Sequence, residues 1–347
     1  MNFLDIFKKK PVFGTGALPD PTDLRDYSYD DIVGIGEPVD WNKGYDVEKE
    51  LNIKIPFKSQ GVSASCVGQG VSYYTAILNA VETKAYDEVS AKAIYSLIEL
   101  GLAQGGAYIR DGMKLIVDYG ALFEKIISSY NNGEPPSEAF MKDKTWKNPA
   151  MDLLAKILQA KEYRVINSID SMEAFAMAIR DNYGIVGGVS GENNGTWSTN
   201  EPKAGKHVWG HCLYWGKFGT DELGRYIASP NSWGTRGSND RLHPDGWQKF
   251  REDWFRNNNM FNPWTLVDKS NVIVTSAEAQ AVAKRFEKKI IIEGEGHGRV
   301  GIIVDGKLKE VLPERKDDAA IYVLANNGLG TTVKTKTFDE IPKDSNF

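Results

Sequence analysis

The stretch CVGQGVSYYTAILNAVE, residues 66–82, constrains this chain more than any other. Val67, Val71, Tyr74, Ala76, Ile77 and Val81 recur at helical spacing, which predicts a buried helix from Cys66 to about Glu82. Gly68 and Gly70 stand in its first turns, where each costs about 0.5–1 kcal/mol relative to alanine. Glycine at such places points to another backbone packed closely against the helix. With 347 residues, 41% of them hydrophobic, the chain can build the sizeable core that a buried helix requires.

Further helices are expected at 90–102, 109–119 and 151–161. After Ile185 the pattern changes to short apolar runs broken by Gly and Asn, namely IVGGVSG, HCLYWGKFG, RYIASPNSWG and WTLV, which predict antiparallel strands. Helices first and strands later imply an α+β domain with two lobes, over residues 51–270. Residues 1–50, rich in Gly, Pro and Asp, read as an extended arm over the surface, with Tyr27, Tyr29 and Trp41 marking parts that pack. Beyond it, SAEAQAVAKRFEKK with Ser276 as N-cap predicts a connecting helix within 271–288. Residues 289–347 read as a small β module, with Asp305-Gly306 signalling a hairpin.

A net charge of −5 with scattered basic residues offers no stripe to track a phosphate backbone, so no nucleic-acid partner is expected. In MNFLDIFKKKPVFG the lysines follow the apolar residues, unlike a secretory signal, and no apolar run is long enough for a membrane span. The expected location is the cytoplasm or a larger particle. Two cysteines make no disulfide framework, which suits a reducing compartment. No metal or other cofactor is expected. His207, His211 and Cys212 lack a fourth zinc ligand. Asp20, Asp23, Asp26, Asp30 and Asp31 lack calcium-loop spacing and read as a solvated acidic arm. His243 and His297 read as surface residues.

Cys66 opens its helix, and a thiol becomes a nucleophile beside a helix N-terminus or a cation. The alternative is an inert core cysteine, and that is the reading for Cys212, which a strand points away from His211. His211, in VWGHCLYWG, is the candidate base. Asn231, in SPNSWGT, is the candidate orienting group, carried back beside it by a hairpin from Leu213 to Ser229 turning near residues 220–224. The Gln60 side chain and the Cys66 N–H would donate to a developing oxyanion.

At these residues the sequence resembles the papain-like cysteine peptidases. Gln60, Gly61, Ser65 and Cys66 match the nucleophile motif position by position, Gly210-His211 resembles the histidine motif, and Asn231-Ser232-Trp233-Gly234 matches the asparagine motif in full. His211 follows Cys66 within the family's range of about 130–150 residues, and Asn231 lies just beyond it. The resemblance spans about residues 18–265. It implies a two-lobed papain-like fold, a helical lobe plus an antiparallel β lobe, with an N-terminal arm and a small C-terminal β domain that has no counterpart. It implies attack of Cys66 on a peptide carbonyl after His211 takes its proton, with Asn231 fixing the ring and Gln60 holding the oxyanion. The substrate would be a peptide or protein, lined by Gly105, Gly106, Trp209, Gly210 and Trp233, and no cofactor is implied.

Departures from the family pattern also matter. Ser63 replaces a cysteine and removes a disulfide, Ala64 and Val67 replace Gly and Trp, and Trp209 stands where it would partly fill a substrate pocket. Residues 14–50 are too few for the family's helical propeptide but long enough to cross the groove and hold it closed. The rival reading is a papain-shaped scaffold in an assembly such as a virion, with its C-terminal β module contacting a protein partner.

Overall fold

The computed structural model describes residues 15–23, 26–29, 37–234 and 247–267, together with the backbone of 268–269, 291–294, 300–304, 307–311 and 332–335. Two compact units result, Met1–Trp146 with Ile157–Ile273, and Lys147–Lys156 with Val274–Phe347. The helices are α1 (Val47–Leu51), α2 (Cys66–Thr83), α3 (Ala91–Ile98), α4 (Ile109–Asp118), α5 (Glu138–Lys142), α6 (Pro149–Ala155), α7 (Met172–Asn182) and α8 (Glu252–Arg256). Side chains satisfy the first N–H groups of several: Ser90 caps α3, Ser137 α5, Asn148 α6 and Ser171 α7.

Helix α2 is the expected buried helix, and its two glycines have separate uses. A Cβ on Gly68 would come 2.7 Å from the Ala91 carbonyl oxygen, so α3 crosses at backbone contact. On Gly70 it would come 3.1 Å from the Cys212 sulfur, on the other side of the helix's first turns. Cys212 belongs to a four-stranded antiparallel sheet ordered β4 (Ala160–Val165), β10 (Met260–Lys269), β5 (Ile185–Gly191), β6 (Trp209–Trp215). Helix α2 thus joins the helical lobe to the β lobe. A second antiparallel sheet runs β2 (Tyr45–Asp46), β7 (Lys217–Asp221), β8 (Gly224–Ser229), β9 (Gln248–Phe250). Between the sheets and α7 lies an aromatic core that includes Phe175, Trp215, Phe218, Phe250 and Trp254.

Several expectations are corrected. The helix expected at 151–161 starts at Pro149, continues as a 3₁₀ turn over Lys156–Leu158 and gives way to strand β4. Asn148 and Pro149 set its start, while pairing with the distant β10 overrides helical spacing at its end. Helix α3 stops at Ile98 because Glu99 is extended and Gly101 turns left-handed. Helix α7 is absent from the sequence expectations. The arm does not lie over the surface throughout: β1 (Ala17–Leu18) pairs in parallel with β3 (Ala107–Tyr108), and Ala17 is only 4% exposed. Tyr29 and Trp41 join the β-lobe core, whereas Tyr27 is exposed.

Nor is the acidic arm simply solvated. Asp20 accepts from Trp264 Nε1 at 2.8 Å and from the Arg110 N–H at 3.2 Å, at the start of α4. Arg110 also binds Asp26 at 2.9 Å and the Pro21 carbonyl at 2.6 Å. These contacts anchor the arm to α4 of the helical lobe and to β10 of the β lobe.

The second unit contains a sheet ordered β13 (Lys307–Val311), β12 (Val300–Val304), β11 (Ile291–Gly294), β14 (Thr332–Thr335), antiparallel except between β11 and β14. Val304 pairs with Lys307 across the expected hairpin, whose two turn residues lie outside the described residues. The connecting helix expected within 271–288, along with His243, His297, Asp30 and Asp31, also lies outside them. No helix of the described residues is long and apolar enough to cross a membrane.

Candidate active site

Cys66 is the first residue of α2, so its sulfur stands at the positive end of an 18-residue helix. His211 is on β6, opposite Val189 of β5. The β7–β8 hairpin turns between Asp221 and Gly224 and returns the chain to Asn231, whose φ of 52° is left-handed, a conformation asparagine tolerates. His211 Nε2 and Asn231 Oδ1 are 2.9 Å apart.

Two side-chain amides and the imidazole assign the protons. Gln248 Nε2 lies 2.9 and 3.0 Å from the carbonyl oxygens of Trp197 and Thr199, so it must donate. Gln248 Oε1 therefore accepts, and Asn231 Nδ2 donates to it at 2.7 Å. Asn231 Oδ1 is left as the acceptor, for the Ser232 N–H at 2.6 Å and for His211 Nε2–H. In the neutral ring, Nδ1 must then carry the lone pair. This nitrogen is buried and has no hydrogen-bond partner among the described residues.

Trp233 stacks on the imidazole with centroids 4.4 Å apart, and Trp197 meets it edge-on at 6.3 Å. Burial pushes the His211 pKa down to about 4, against a smaller upward pull from Asn231. Burial also pushes the Cys66 thiol up to about 11, while the N–H groups of Cys212, Gly16, Val67 and Ala17 favour the thiolate. The Cys212 N–H belongs to the peptide bond with His211, so the sulfur lies alongside the backbone that carries the imidazole. Both residues are fully buried, which disfavours the charged form of each. Both cysteines are free thiols.

Gln60 is tied to the Asn231 loop. Its Oε1 accepts from Ser232 Oγ at 2.5 Å, its N–H donates to the Ser232 carbonyl at 2.8 Å, and its Nε2 donates to the Ser63 carbonyl at 2.9 Å. Tyr73 lies 3.1 Å from the Asn231 carbonyl and accepts from the Lys58 N–H at 2.7 Å. Hydrogen bonds therefore tie the segment of Gln60 to the Asn231 loop.

The cleft beside Cys66 holds the arm. The Gly16 N–H donates to the Gly210 carbonyl at 3.2 Å, and the Ala107 N–H donates to the Gly16 carbonyl at 2.9 Å. Gly106 is spoken for: its N–H donates to Tyr95 Oη at 2.9 Å and its carbonyl accepts from the Leu100 N–H at 3.2 Å. The residue that pairs with the arm is Ala107, one beyond Gly106. Gly105, at φ 76°, packs against Glu138 and Ala64. Trp209 lies over Gly191 and between Trp197 and Trp233, with centroids 5.0 and 5.9 Å away.

Sequence reasoning missed Gln248, Trp197 and Tyr73. Gln248 belongs to no motif, Trp197 sits in a short 3₁₀ turn, and Tyr73 reads as one more apolar helix residue. His207 is exposed, and no cluster of three or more metal-ligating side chains occurs among the described residues.

This chain has the papain-like fold, two-lobed and α+β. Xylellain, a cysteine protease from Xylella fastidiosa, is similar with a TM-score of 0.57 and 19% identity, over 76% of this chain and 98% of that one. A procathepsin B from Trypanosoma congolense is similar at 0.52 and 11%, over 73% and 86%. The bromelain protease from Ananas comosus, in complex with the inhibitor E64, is similar at 0.50 and 14%, over 66% and 99%. At these identities the likeness is one of fold. By sequence, no family model and no curated protein matches the chain.

Proposed function

We propose that this protein is a papain-type cysteine peptidase held closed by its own arm. The observation that carries this reading is the fixed tautomer of His211, with Nε2–H on Asn231 and a lone pair on Nδ1 that no other group among the described residues uses. Once the arm leaves, Cys66 passes its proton to Nδ1 and the sulfur bonds to a peptide carbonyl carbon. The oxygen takes the electron pair and accepts hydrogen bonds from the Cys66 N–H and the Gln60 side-chain amide. The imidazolium then protonates the leaving amine as the C–N bond breaks, leaving a thioester. Water, deprotonated by Nδ1, attacks the thioester, and the acid and free thiol are released.

The test is alkylation and cleavage in the full chain carrying Arg110→Ala, which loosens the arm by removing its contacts to Asp26 and the Pro21 carbonyl. Iodoacetamide at neutral pH should label Cys66 faster than a free thiol, and a fluorogenic peptide library should be cleaved by this variant but not with Cys66→Ala added. Labelling no faster than a free thiol, with cleavage indifferent to Cys66→Ala, rejects the reading. A non-catalytic scaffold, with the C-terminal β module as its protein contact, is favoured by one observation: Cys66 and His211 are both fully buried under the arm. Displacement of the arm without turnover of any peptide would leave that reading standing.

A further inference from the structure

Four backbones meet at the nucleophile with no room for side chains between them. A Cβ on Gly16 would lie 2.3 Å from the Ala64 carbonyl oxygen and 2.7 Å from the Ala64 Cβ. On the opposite wall, a Cβ on Gly210 would lie 2.2 Å from the Ala17 carbonyl oxygen. On the third side, a Cβ on Gly106 would lie 2.9 Å from the Gly16 carbonyl oxygen. Gly16 does not have a left-handed φ, so an L side chain is conformationally allowed there. What excludes it is space.

That space cannot easily open. Ala64 is held by its N–H on Glu138 Oε2 at 2.7 Å, and Glu138 is held in turn by Tyr95 Oη at 2.7 Å. Two residues later the chain enters α2, so Ala64 cannot retreat without moving Cys66. Beyond Gly210, Phe261 fills the remaining room, 3.3 Å from where a Gly210 Cβ would stand and directly over Gly188. The sulfur of Cys66 senses the N–H groups of both Gly16 and Ala17, so this constriction is at the nucleophile.

We infer that the cleft is a glycine gate: it admits an extended peptide only when glycine stands where Gly16 now lies, so the substrates are peptides with glycine next to the attacked carbonyl. The substrate half of this statement rests on the peptidase reading, and the steric half does not. The Ala64 carbonyl oxygen makes the gate, and the Ala64 methyl group, which also stands beside Gly105, narrows it further. Gly16 makes the arm fit it.

The test uses the full chain and reads Cys66 alkylation and peptide cleavage separately. In Gly16→Val the arm cannot seat, and alkylation should run about ten- to a hundredfold faster than in wild type, the range that overpacking a rigid site produces. In Arg110→Ala, which leaves position 16 intact, added Thr-Gly-Ala-Leu-Pro-Asp should slow alkylation, and the same peptide with Ala or Val second should not. Wild-type labelling rates in Gly16→Val, equal protection by the Ala or Val peptide, or protection by none of the three overturns the gate. Glycine-dependent protection without cleavage of any peptide keeps the gate and rejects the peptidase. Cleavage with no glycine preference does the reverse.

Discussion

Gln248 contacts neither cysteine nor histidine, yet the proton assignment of the site starts from it. Two backbone carbonyls fix which end of its amide donates, and Asn231 and His211 follow. Replacing it with leucine leaves those carbonyls and the Asn231 amide buried without partners, at about 1–3 kcal/mol. Gln248→Leu should therefore lower kcat about ten- to hundredfold with little change in KM. The pH profile of Cys66 alkylation should shift with it, because the imidazole loses its orientation. Combined with Asn231→Ala, it should cost little more than the worse single change, since both act through one ring. Additive losses, or a change confined to KM, would show that Gln248 acts elsewhere.

Helix α2 carries two glycines whose replacement should give unequal results. Gly68→Ala places a methyl group 2.7 Å from a backbone carbonyl of α3 and 2.8 Å from the Tyr95 Cβ, neither able to move alone. Overpacking of this kind costs about 1–3 kcal/mol, so the thermal midpoint should fall clearly. Gly70→Ala meets first a cysteine sulfur at 3.1 Å, which can turn aside, and gains helix propensity of about 1 kcal/mol. Its midpoint should stay close to wild type. The same contrast explains what is legible at this scale. Helix α2 and the β7–β8 hairpin depend on local spacing and turn chemistry and can be read from the chain. Strand β4 depends on pairing with β10, about a hundred residues away, and helical spacing misleads there.

Closure of the whole molecule carries a pH dependence with two opposing parts. Burial raises the Asp20 carboxyl to about 6, against Trp264 and Arg110, which pull it down. The docked arm therefore binds an extra proton between its ordinary value and about 6, and docking strengthens as pH falls through that window. His211 is lowered to about 4 under the arm, so closure excludes a proton between about 4 and its ordinary value, and docking weakens over nearly the same window. The two parts offset, and arm docking in wild type should be almost flat from pH 6 to 4. Asp20→Asn removes one of them. In that variant, hydrogen exchange at Gly16 to Leu18 should rise steeply as pH falls below 6, after correction for intrinsic rates. An unchanged, flat profile would show that His211 does not titrate with opening.

Residue types and short-range spacing alone determined the α+β class, the buried helix beginning at Cys66, the strands after Ile185 and the candidacy of Gln60, His211 and Asn231. Each of these depends on groups within a turn, a helix face or a short motif. Tertiary structure decided the rest: that Gln248 orients the Asn231 amide, that Ala107 pairs with the arm, and that Gly16 lies where no side chain fits. Those facts depend on distances between segments far apart in the chain, and a residue's type does not record how close a remote backbone will come.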